Sequence, residues 1–234
     1  MPVVISCDTP CVTLTTHVEW QLFAGIPNED VRAVLALARR STYRRGEVVF
    51  HRHDPADAVH LVVKGRFDVR ITTSRGDVVA LAIRGPGDTF GEIAVVTGAE
   101  RSATVTALEP GETLVLRGSE LRRLARDHHS IDEVLVRVLA EHVAFLSDRL
   151  VEAYTVDAES RVARRLLELA RVYGGSAPVV IPLIPEDIAA LAGTSRATVN
   201  RVLREAEARG LVELGRGRTV LLVHDGLARL GRIR

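Results

Sequence analysis

The spacing of hydrophobic residues changes twice along the chain. In the stretch 20–40, four apolar residues recur at helical spacing: Val31, Val34, Leu35 and Ala38. This stretch therefore predicts a turn followed by an amphipathic helix. From 42 to 117 the apolar runs are short or alternating, and Gly or Asp separates them. Many short strands at regular spacing predict an antiparallel barrel or sandwich.

The next region, from 119 to about 155, contains neither Gly nor Pro. Five apolar residues in it are spaced by four, three, four and three positions: Leu139, Val143, Leu146, Leu150 and Ala153. This spacing is typical of a coiled-coil seam of about two heptads. We expect a helix that pairs in parallel with a second copy of itself. The alternative is a helix that packs only within its own chain.

The C-terminal region predicts two helices joined by a sharp turn. Asp157 can cap a helix over about 158–173. In "LIPEDIAALAGTSRATVNRVLREAEARGLVELGRGRTVLLV", Pro185 suits a helix start, Gly193 permits a tight turn, and Ser195 can cap the next helix. This is the helix-turn-helix pattern. The segment "LVEL-GRGR-TVLLV" then predicts a strand, a turn and a strand, which form a small wing.

The second of these helices has an apolar face and a polar face. The apolar side chains can pack inward: Val199, Leu203 and Ala206. The outward face carries Arg196, Ala197, Asn200, Arg201 and Arg204. Arginine matches the two major-groove acceptors of guanine and asparagine can read adenine, while Ser195 and Thr198 suit backbone phosphates. DNA binding is therefore expected, and the alternative is a protein-docking domain with a solvated arginine face.

Composition is that of an ordinary globular protein, with 47% hydrophobic and 26% charged residues among 234. No apolar run approaches the roughly 20 residues that span a bilayer, and the N-terminus lacks the features of a signal peptide. We expect a cytoplasmic protein that does not bind membranes. After residue 156 there are 13 Lys+Arg against 9 Asp+Glu, and before it 18 against 21. This asymmetry indicates a polyanionic partner for the C-terminal part.

Sites for metals and catalysis are poorly supported. The only cysteines, Cys7 and Cys11, lie in an N-terminal arm. Two thiols cannot build a disulfide framework or supply four ligands to an iron–sulfur cluster, so unpaired cysteines are expected, with a redox or metal role as the alternative. Neither a nucleophile elbow nor a phosphate-binding P-loop occurs. We therefore expect no enzyme, no catalytic residue and no metal site.

The segment "FGEIAVVTGAERSATV" places Glu92, Arg101 and Ser102 in an otherwise apolar strand-and-turn context. Burying such groups is costly unless they are paired. One cation with free backbone amides suits a phosphate, and one carboxylate suits a sugar hydroxyl. The alternative is an internal Glu92–Arg101 salt bridge without any ligand.

This segment, followed by "GTSRATVNRVL", resembles the cyclic-AMP receptor protein (CRP/FNR) family of bacterial transcription regulators, from about Leu22 to Val223. The resemblance implies an α+β chain with a cyclic-nucleotide-binding β-roll (jelly-roll), a long dimerisation helix and a winged helix-turn-helix. The implied domains are an arm over 1–19, a sensor over 20–130, the dimerisation helix over 131–156 and the DNA-binding domain over 157–234.

The resemblance also implies function. It predicts a homodimer that binds double-stranded DNA, contacts RNA polymerase and responds to cAMP or a related cyclic nucleotide, an effector rather than a cofactor. The implied nucleotide-binding residues are Gly91, Glu92, Ile93, Arg101, Ser102, Ala103, Leu146 and Ser147, with Arg101 on the cyclic phosphate and Glu92 on the ribose 2′-hydroxyl. The implied DNA-binding residues are Ser195, Arg196, Ala197, Thr198, Asn200 and Arg201. The alternative is a constitutive or other-ligand regulator with a vestigial pocket.

Four positions depart from the family pattern. Leu146 and Ser147 stand where cAMP-responsive members carry Thr and Ser on adenine, and Leu146 can neither donate nor accept a hydrogen bond. His53 occupies a turn position usually filled by glycine. Ala197 replaces a glutamate that reads cytosine, so we expect a different target sequence. Pro185 replaces a basic residue that contacts phosphate, which favours a lower affinity for DNA.

A haem-sensing branch of the family uses an N-terminal proline and ligands in the sensor domain. This chain has Pro2, and His51, His53 and His60 lie in the strand region. The intact cassette and the lack of a cysteine in the β-roll argue against haem. Strand residues that alternately face solvent explain His51 and His53 without a metal.

Overall fold

The structure, a computed structural model, describes residues 18–174 and 177–231. Most of the predicted N-terminal arm, with Pro2, Cys7 and Cys11, lies outside the described residues. The chain divides into two compact units. The first reaches Ile71 and continues over Ala82–Ala144, and the second comprises Thr72–Leu81 and the chain from Phe145 onward. Among the described helices, none has the length and apolar character needed to cross a membrane.

The predicted strand region forms two four-stranded sheets. The strands are β1 (Arg39–Tyr43), β2 (Val48–Phe50), β3 (Ala58–Lys64), β4 (Phe67–Thr72), β5 (Val78–Arg84), β6 (Thr89–Phe90), β7 (Thr104–Ala107) and β8 (Gly111–Arg117). One sheet has the order β1-β8-β3-β6 and the other β2-β7-β4-β5. The pairs β1–β8, β3–β8, β2–β7 and β4–β7 are antiparallel, as the spacing of the apolar runs predicted.

The central strand β3 is buried on both faces, which explains its continuous apolar run. On one face Val59, Leu61 and Val63 join a core that includes residues of the flanking helices. On the other face Val62 packs in a second core with Phe67 and with residues of β6 and β7. The side chains of both sheets therefore meet in one layer, the arrangement of a β-roll.

Four helices and a 3-10 turn complete the N-terminal half. They are the turn Gln21–Phe23, α1 (Asn28–Leu35), α2 (Glu92–Thr97), α3 (Gly118–Asp127) and α4 (His129–Thr155). The helix predicted within 20–40 ends earlier than the apolar spacing suggested, at Leu35. Ala38 lies beyond it, and Arg39 and Arg40 belong to β1. The tertiary reason is that β1 pairs with β8 over five residues, from Arg39 opposite Val115 to Tyr43 opposite Gly111.

The C-terminal elements are α5 (Ala158–Tyr173), β9 (Val179–Ile181), α6 (Pro185–Ala192), α7 (Arg196–Ala208), β10 (Val212–Gly215), β11 (Arg218–Leu221) and α8 (His224–Leu230). The caps follow the sequence, because Asp157 accepts a hydrogen bond from Ser160 N and Ser195 accepts one from Thr198 N. The wing has the order β10-β11-β9. The strand β9 was not expected, because three residues between a broken segment and Pro182 carry too weak a pattern.

Candidate functional site

The backbone around α2 is shaped by a glycine that no other residue could replace easily. Gly91 precedes the helix with φ of +84°, in the left-handed region. A Cβ at this position would lie 2.5 Å from Arg101 Nη1. Gly91 is therefore required both for the turn and for the close approach of the arginine.

Arg101 is almost fully buried, with 4% of its surface exposed. Its Nη1 donates to Gly91 O at 3.0 Å and its Nη2 to Ala58 O at 2.8 Å. The guanidinium carbon lies 4.1 Å from the centre of the Phe50 ring. Asp57 Oδ1 is 3.9 Å away, on a largely exposed side chain. Burial lowers the pKa of Arg101, and the neighbouring carboxylates oppose that shift, so the guanidinium stays charged.

Glu92 is equally buried, with 3% of its surface exposed. Its Oε1 lies 3.8 Å from Nδ1 of His142, a residue of α4. Burial raises the pKa of the Glu92 carboxyl, while its backbone hydrogen bond and the charges of Arg84 and Arg101 oppose this. The carboxyl therefore lies in a desolvated environment where a hydrogen-bond donor would be strongly favoured.

Two atoms of this pair have no hydrogen-bond partner in the described part of the chain: Glu92 Oε2 and Arg101 Nε. Among the same residues the two side chains do not form an ion pair with each other. The internal salt bridge considered above is thus absent from the described structure. A buried acceptor and a buried donor that both lack partners are costly, and a ligand that bonds to both would remove the cost.

The remaining predicted ligand residues fall into two groups. Ser102 and Ile93 are exposed and Ala103 is buried, all on the segment that carries Glu92 and Arg101. Leu146 and Ser147 belong to the second unit, where Leu146 is 50% exposed. The first unit therefore brings together only the cassette residues.

The sequence analysis did not identify two polar residues near Glu92, Arg84 and His142. Arg84 Nη2 donates to His142 Nε2, and His142 lies next to Glu92. Each has a feature in the sequence that could have pointed to the site. Arg84 is a charged residue at the end of an apolar strand, and His142 precedes Leu146 by one helical turn.

The histidines of the strand region show no metal-site geometry. His60 is buried, stacks on Phe90 at 4.9 Å between ring centres, and bonds to Thr113 Oγ1 at 3.2 Å. Burial, then the charges of Arg101 and Arg39, lowers the pKa of His60 to about 3. His51 and His53 are exposed. The described residues include no cluster of three or more metal-ligating side chains.

In the second unit, α6, Gly193 and α7 form the helix-turn-helix. Gly193 has φ of +57° and ends α6, as the sharp turn requires. The buried face of α7 consists of Val199, Val202, Leu203 and Ala206. The exposed face includes Arg196, Ala197, Arg201 and Arg204, with Asn200 half-buried among them. The predicted division of the helix is therefore observed, with Val202 as an additional inward residue.

Acidic residues hold two of the outward arginines. Arg196 Nη1 lies 2.9 Å from Glu186 Oε1 of α6, and Arg201 Nη1 lies 2.6 Å from Glu159 Oε1 of α5. All four side chains are substantially exposed. Such pairs are weak in water, so they orient the arginines without locking them.

A further arginine, Arg161 of α5, stabilises the turn between α6 and α7 through hydrogen bonds. Its guanidinium donates to three carbonyl oxygens: Ala192 O at 3.0 Å, Gly193 O at 3.0 Å and Val156 O at 2.8 Å. It thus satisfies the free carbonyls at the ends of α6 and α4. This contact fixes the turn that precedes α7, and it was not recognised from the sequence.

A buried carboxylate and guanidinium with unsatisfied polar atoms in one unit, and a helix-turn-helix with outward arginines in the other, are the features expected of a ligand-responsive DNA-binding protein. Family models agree with both parts: a cyclic nucleotide-binding domain matches residues 40–128, and a Crp-like helix-turn-helix domain matches residues 160–230. The Crp-like helix-turn-helix domain indicates a transcription regulator rather than an enzyme.

Relatives extend the similarity over nearly the whole chain. A CRP-like cAMP-activated global transcriptional regulator of Mycobacterium tuberculosis is 30% identical over 216 residues, which cover 90% of this chain and 96% of the relative. The cyclic AMP receptor protein of Thermus thermophilus is 36% identical over 200 residues, covering 84% and 89%. The crystal structure of the Thermus thermophilus catabolite activator protein is similar at a TM-score of 0.53 and 32% identity, over 92% of this chain and all of that one.

The chain therefore belongs to the cyclic-AMP receptor protein (CRP/FNR) family of transcription regulators. The predicted fold class, a β-roll, a long helix and a winged helix-turn-helix, is confirmed. The individual ligand- and DNA-contacting residues stay predictions.

Proposed function

We propose that this regulator is a homodimer whose affinity for DNA is controlled by a cyclic nucleotide, cAMP or a relative, bound at Glu92 and Arg101. One observation carries the proposal: Glu92 Oε2 and Arg101 Nε are buried without partners in the described chain. A cyclic phosphate accepts from Arg101, and a ribose hydroxyl donates to Glu92. A cyclic nucleotide carries both an anionic phosphate and a ribose hydroxyl, and the match to a cyclic nucleotide-binding domain favours it over other phosphate esters.

The exposed seam of α4 supports the homodimer. Three of its apolar residues are solvent-exposed within the chain, with Val143 at 65%, Leu146 at 50% and Leu150 at 59%, while Leu139 is half-buried. Val136, 67% exposed, extends the seam by one further step of three residues. A stripe at this spacing is stabilised by burial against a second identical helix.

The outward face of α7 supports DNA recognition. Arg196, Asn200 and Arg201 are the base-reading candidates, and Ser195 with Thr198 the phosphate contacts. In a dimer the two recognition helices would have to lie about 34 Å apart, one turn of DNA. The nucleotide increases DNA affinity only if it binds the DNA-competent dimer more tightly than the other state. Contact with RNA polymerase stays a prediction from the family.

The ligand half of the proposal is tested by calorimetric titration with cAMP and with cyclic GMP. We expect binding by the wild type and at least a 100-fold loss in Arg101→Leu, because the phosphate loses a charge-assisted bond in a buried site. Arg52→Leu is the matched control, since Arg52 is exposed in the neighbouring turn. A folded wild type that binds neither of these nucleotides nor cyclic di-GMP, or whose DNA affinity is unchanged by all three, would indicate a constitutive regulator with a vestigial pocket.

The dimer is tested by sedimentation equilibrium of Leu150→Glu. A charge at this apolar position of the seam should produce a monomer. Leu37→Glu changes an apolar residue of similar exposure, 53%, outside the seam and should leave the dimer intact. A Leu150→Glu protein that still sediments as a dimer contradicts the proposed interface.

A further inference from the structure

Arg84 is half-buried, and among the described residues no carboxylate oxygen lies within 4 Å of its guanidinium, although its charge acts on Glu92. It lies at the end of β5, and its recorded hydrogen bond goes to the imidazole of His142. An arginine carries five N–H donors, so most of its donors are unused by this contact. His142 lies between this side chain and the buried Glu92, so Arg84 is two contacts away from the candidate ribose-binding carboxylate.

The bonding pattern defines the state of His142. Arg84 is always protonated and donates, so His142 Nε2 must accept and the ring is neutral. Its proton then lies on Nδ1, the nitrogen 3.8 Å from Glu92 Oε1. Burial, and next the charge of Arg84, lowers the pKa of His142, which agrees with a neutral ring. His142 therefore connects Arg84 to Glu92 and holds its guanidinium in place.

The contacts form a chain in a fixed order. Arg101 lies against Gly91, Glu92 follows Gly91, His142 lies against Glu92, and Arg84 lies against His142. If Arg101 binds the phosphate and Glu92 the ribose, the next polar group along the ligand is the base. Arg84 is the donor available to it.

The chemistry of an arginine fork distinguishes the purines. Guanine presents two adjacent acceptors, O6 and N7, which an arginine binds with two parallel hydrogen bonds. Adenine presents N7 beside an amino group, so one donor of the fork would face another donor.

We propose that Arg84 is a base-contacting residue that selects guanine, so that the effector is a guanine cyclic nucleotide. His142 is the positioning residue that directs Arg84. The inference rests on the proposed function, because it takes Glu92 and Arg101 as the ribose and phosphate contacts. Cyclic GMP and cyclic di-GMP share the guanine edge, and the titrations separate these two sources.

The test is calorimetric titration of the full-length protein with cAMP, cyclic GMP and cyclic di-GMP. We expect one guanine nucleotide to bind about 10- to 100-fold more tightly than cAMP, the usual discrimination of a bidentate contact. In Arg84→Met, which keeps a long side chain but has no N–H donor, the affinity for that nucleotide should fall to the level of cAMP, with cAMP itself changed less than threefold. Arg75, an exposed arginine in the β4–β5 turn, provides the control, and Arg75→Met should keep the wild-type ratio.

The role of His142 has its own readout, the ratio of guanine to adenine affinity. His142→Leu should lower the ratio, whereas His142→Gln, which retains an acceptor for Arg84, should restore most of it. A ratio that both variants leave unchanged overturns the positioning role.

The two proposals fail in different ways. Equal affinity of the wild type for cAMP and the guanine nucleotides, or an equal loss of all of them in Arg84→Met, overturns the guanine inference alone. In both cases Arg101→Leu would still abolish binding. A folded wild type that binds none of the three overturns the proposed function and this inference with it.

Discussion

The buried pair Glu92–Arg101 and the arginine face of α7 use the same side-chain types in opposite surroundings. In the sensor, each of the two charged side chains is at most 4% exposed and has a polar atom without a partner in the described chain. On α7, Arg196 and Arg201 have side chains 65% and 60% exposed, and each is paired with a glutamate. The buried pair has lost its hydration without gaining a full set of hydrogen bonds. The arginines of α7 keep most of their hydration and also have ion-pair partners.

This difference has consequences for how each site binds. A ligand bound in the sensor would form hydrogen bonds with groups that are already desolvated. Each of these bonds would therefore contribute strongly to the affinity and would require strict geometry. DNA must instead displace glutamates from solvated arginines, and each displacement costs about 1 kcal/mol or less. We therefore expect the sensor to be selective and sensitive to small changes in shape, and the DNA face to be tunable by charge and salt.

The largest expected effect is that of Gly91→Ala, which tests the strict geometry of the sensor. The new Cβ would lie 2.5 Å from Arg101 Nη1 at a φ of +84°. We expect a loss of about 2–4 kcal/mol in the free energy of unfolding and more than 100-fold in nucleotide affinity. Gly98→Ala is the control, since φ is +69° but nothing lies within 4 Å, and it should lose only about 1 kcal/mol and keep binding. Equal losses in the two variants would show that backbone strain, not the contact with Arg101, explains the requirement.

His60 provides the next test, because it is a buried polar group of the sensor that does have a partner. Its pKa is about 3 in the folded protein against an ordinary 6.5, so below pH 6.5 the unfolded chain binds the extra proton. Its contribution to stability is therefore complete above pH 6.5 and is lost as the pH falls toward 3. We expect His60 to cost about 2 kcal/mol of stability between pH 7 and pH 5.

Urea unfolding of the wild type and His60→Gln at both pH values measures this contribution as a difference of differences. Subtracting the variant also removes the opposite contribution of Glu92, whose raised pKa favours the folded state as the pH falls. Exposed His51→Gln should retain the wild-type pH dependence. If His60→Gln retains it too, the imidazole is solvated in the native protein.

On the DNA face we expect Glu159→Gln to strengthen binding about 3- to 10-fold, since it releases Arg201 and removes a negative charge near the phosphates. Fluorescence anisotropy with a labelled duplex of random sequence, at low salt, measures the change. Glu205→Gln is matched in charge but breaks only the Arg209 pair at the other end of α7. Weaker binding by Glu159→Gln would mean that the glutamate positions Arg201 for DNA, which would make the two sites more alike than we propose.

The smallest effect concerns the turn that holds the backbone of Arg101. His53 N donates to Arg101 O at 2.9 Å, and His53 has φ of +73°, the one positive value for a non-glycine residue in the described chain. His53→Gly should stabilise the protein by about 0.5–1 kcal/mol in thermal unfolding, after the loss of an exposed contact with Glu100. The stability of His53→Asn should lie between those of the wild type and His53→Gly, because asparagine tolerates this conformation. If His53→Gly is less stable than the wild type, the contact between His53 and Glu100 contributes more to stability than the backbone strain costs.

Local pattern was sufficient to predict the elements whose signals lie within a few residues. The caps at Asp157 and Ser195, the turn at Gly193 and the two faces of α7 could all be derived in this way, since each depends on bonds between near neighbours. The strands β3 and β8 were recognisable from apolar runs. The burial of Glu92 and Arg101 followed from their apolar context, and their roles from the family resemblance.

Tertiary structure alone decided the features that join distant parts of the chain. The end of α1 at Leu35 depends on β8, some 75 residues later, whose pairing draws residues 39–43 into a strand. The contacts Arg84–His142, Arg161–Gly193 and Arg201–Glu159 join residues 32 to 58 positions apart. Periodicity reports which face of an element is buried, but not what covers it. The sequence by itself therefore determined which residues are candidates for each site, and only the packing within each unit determined which candidates meet.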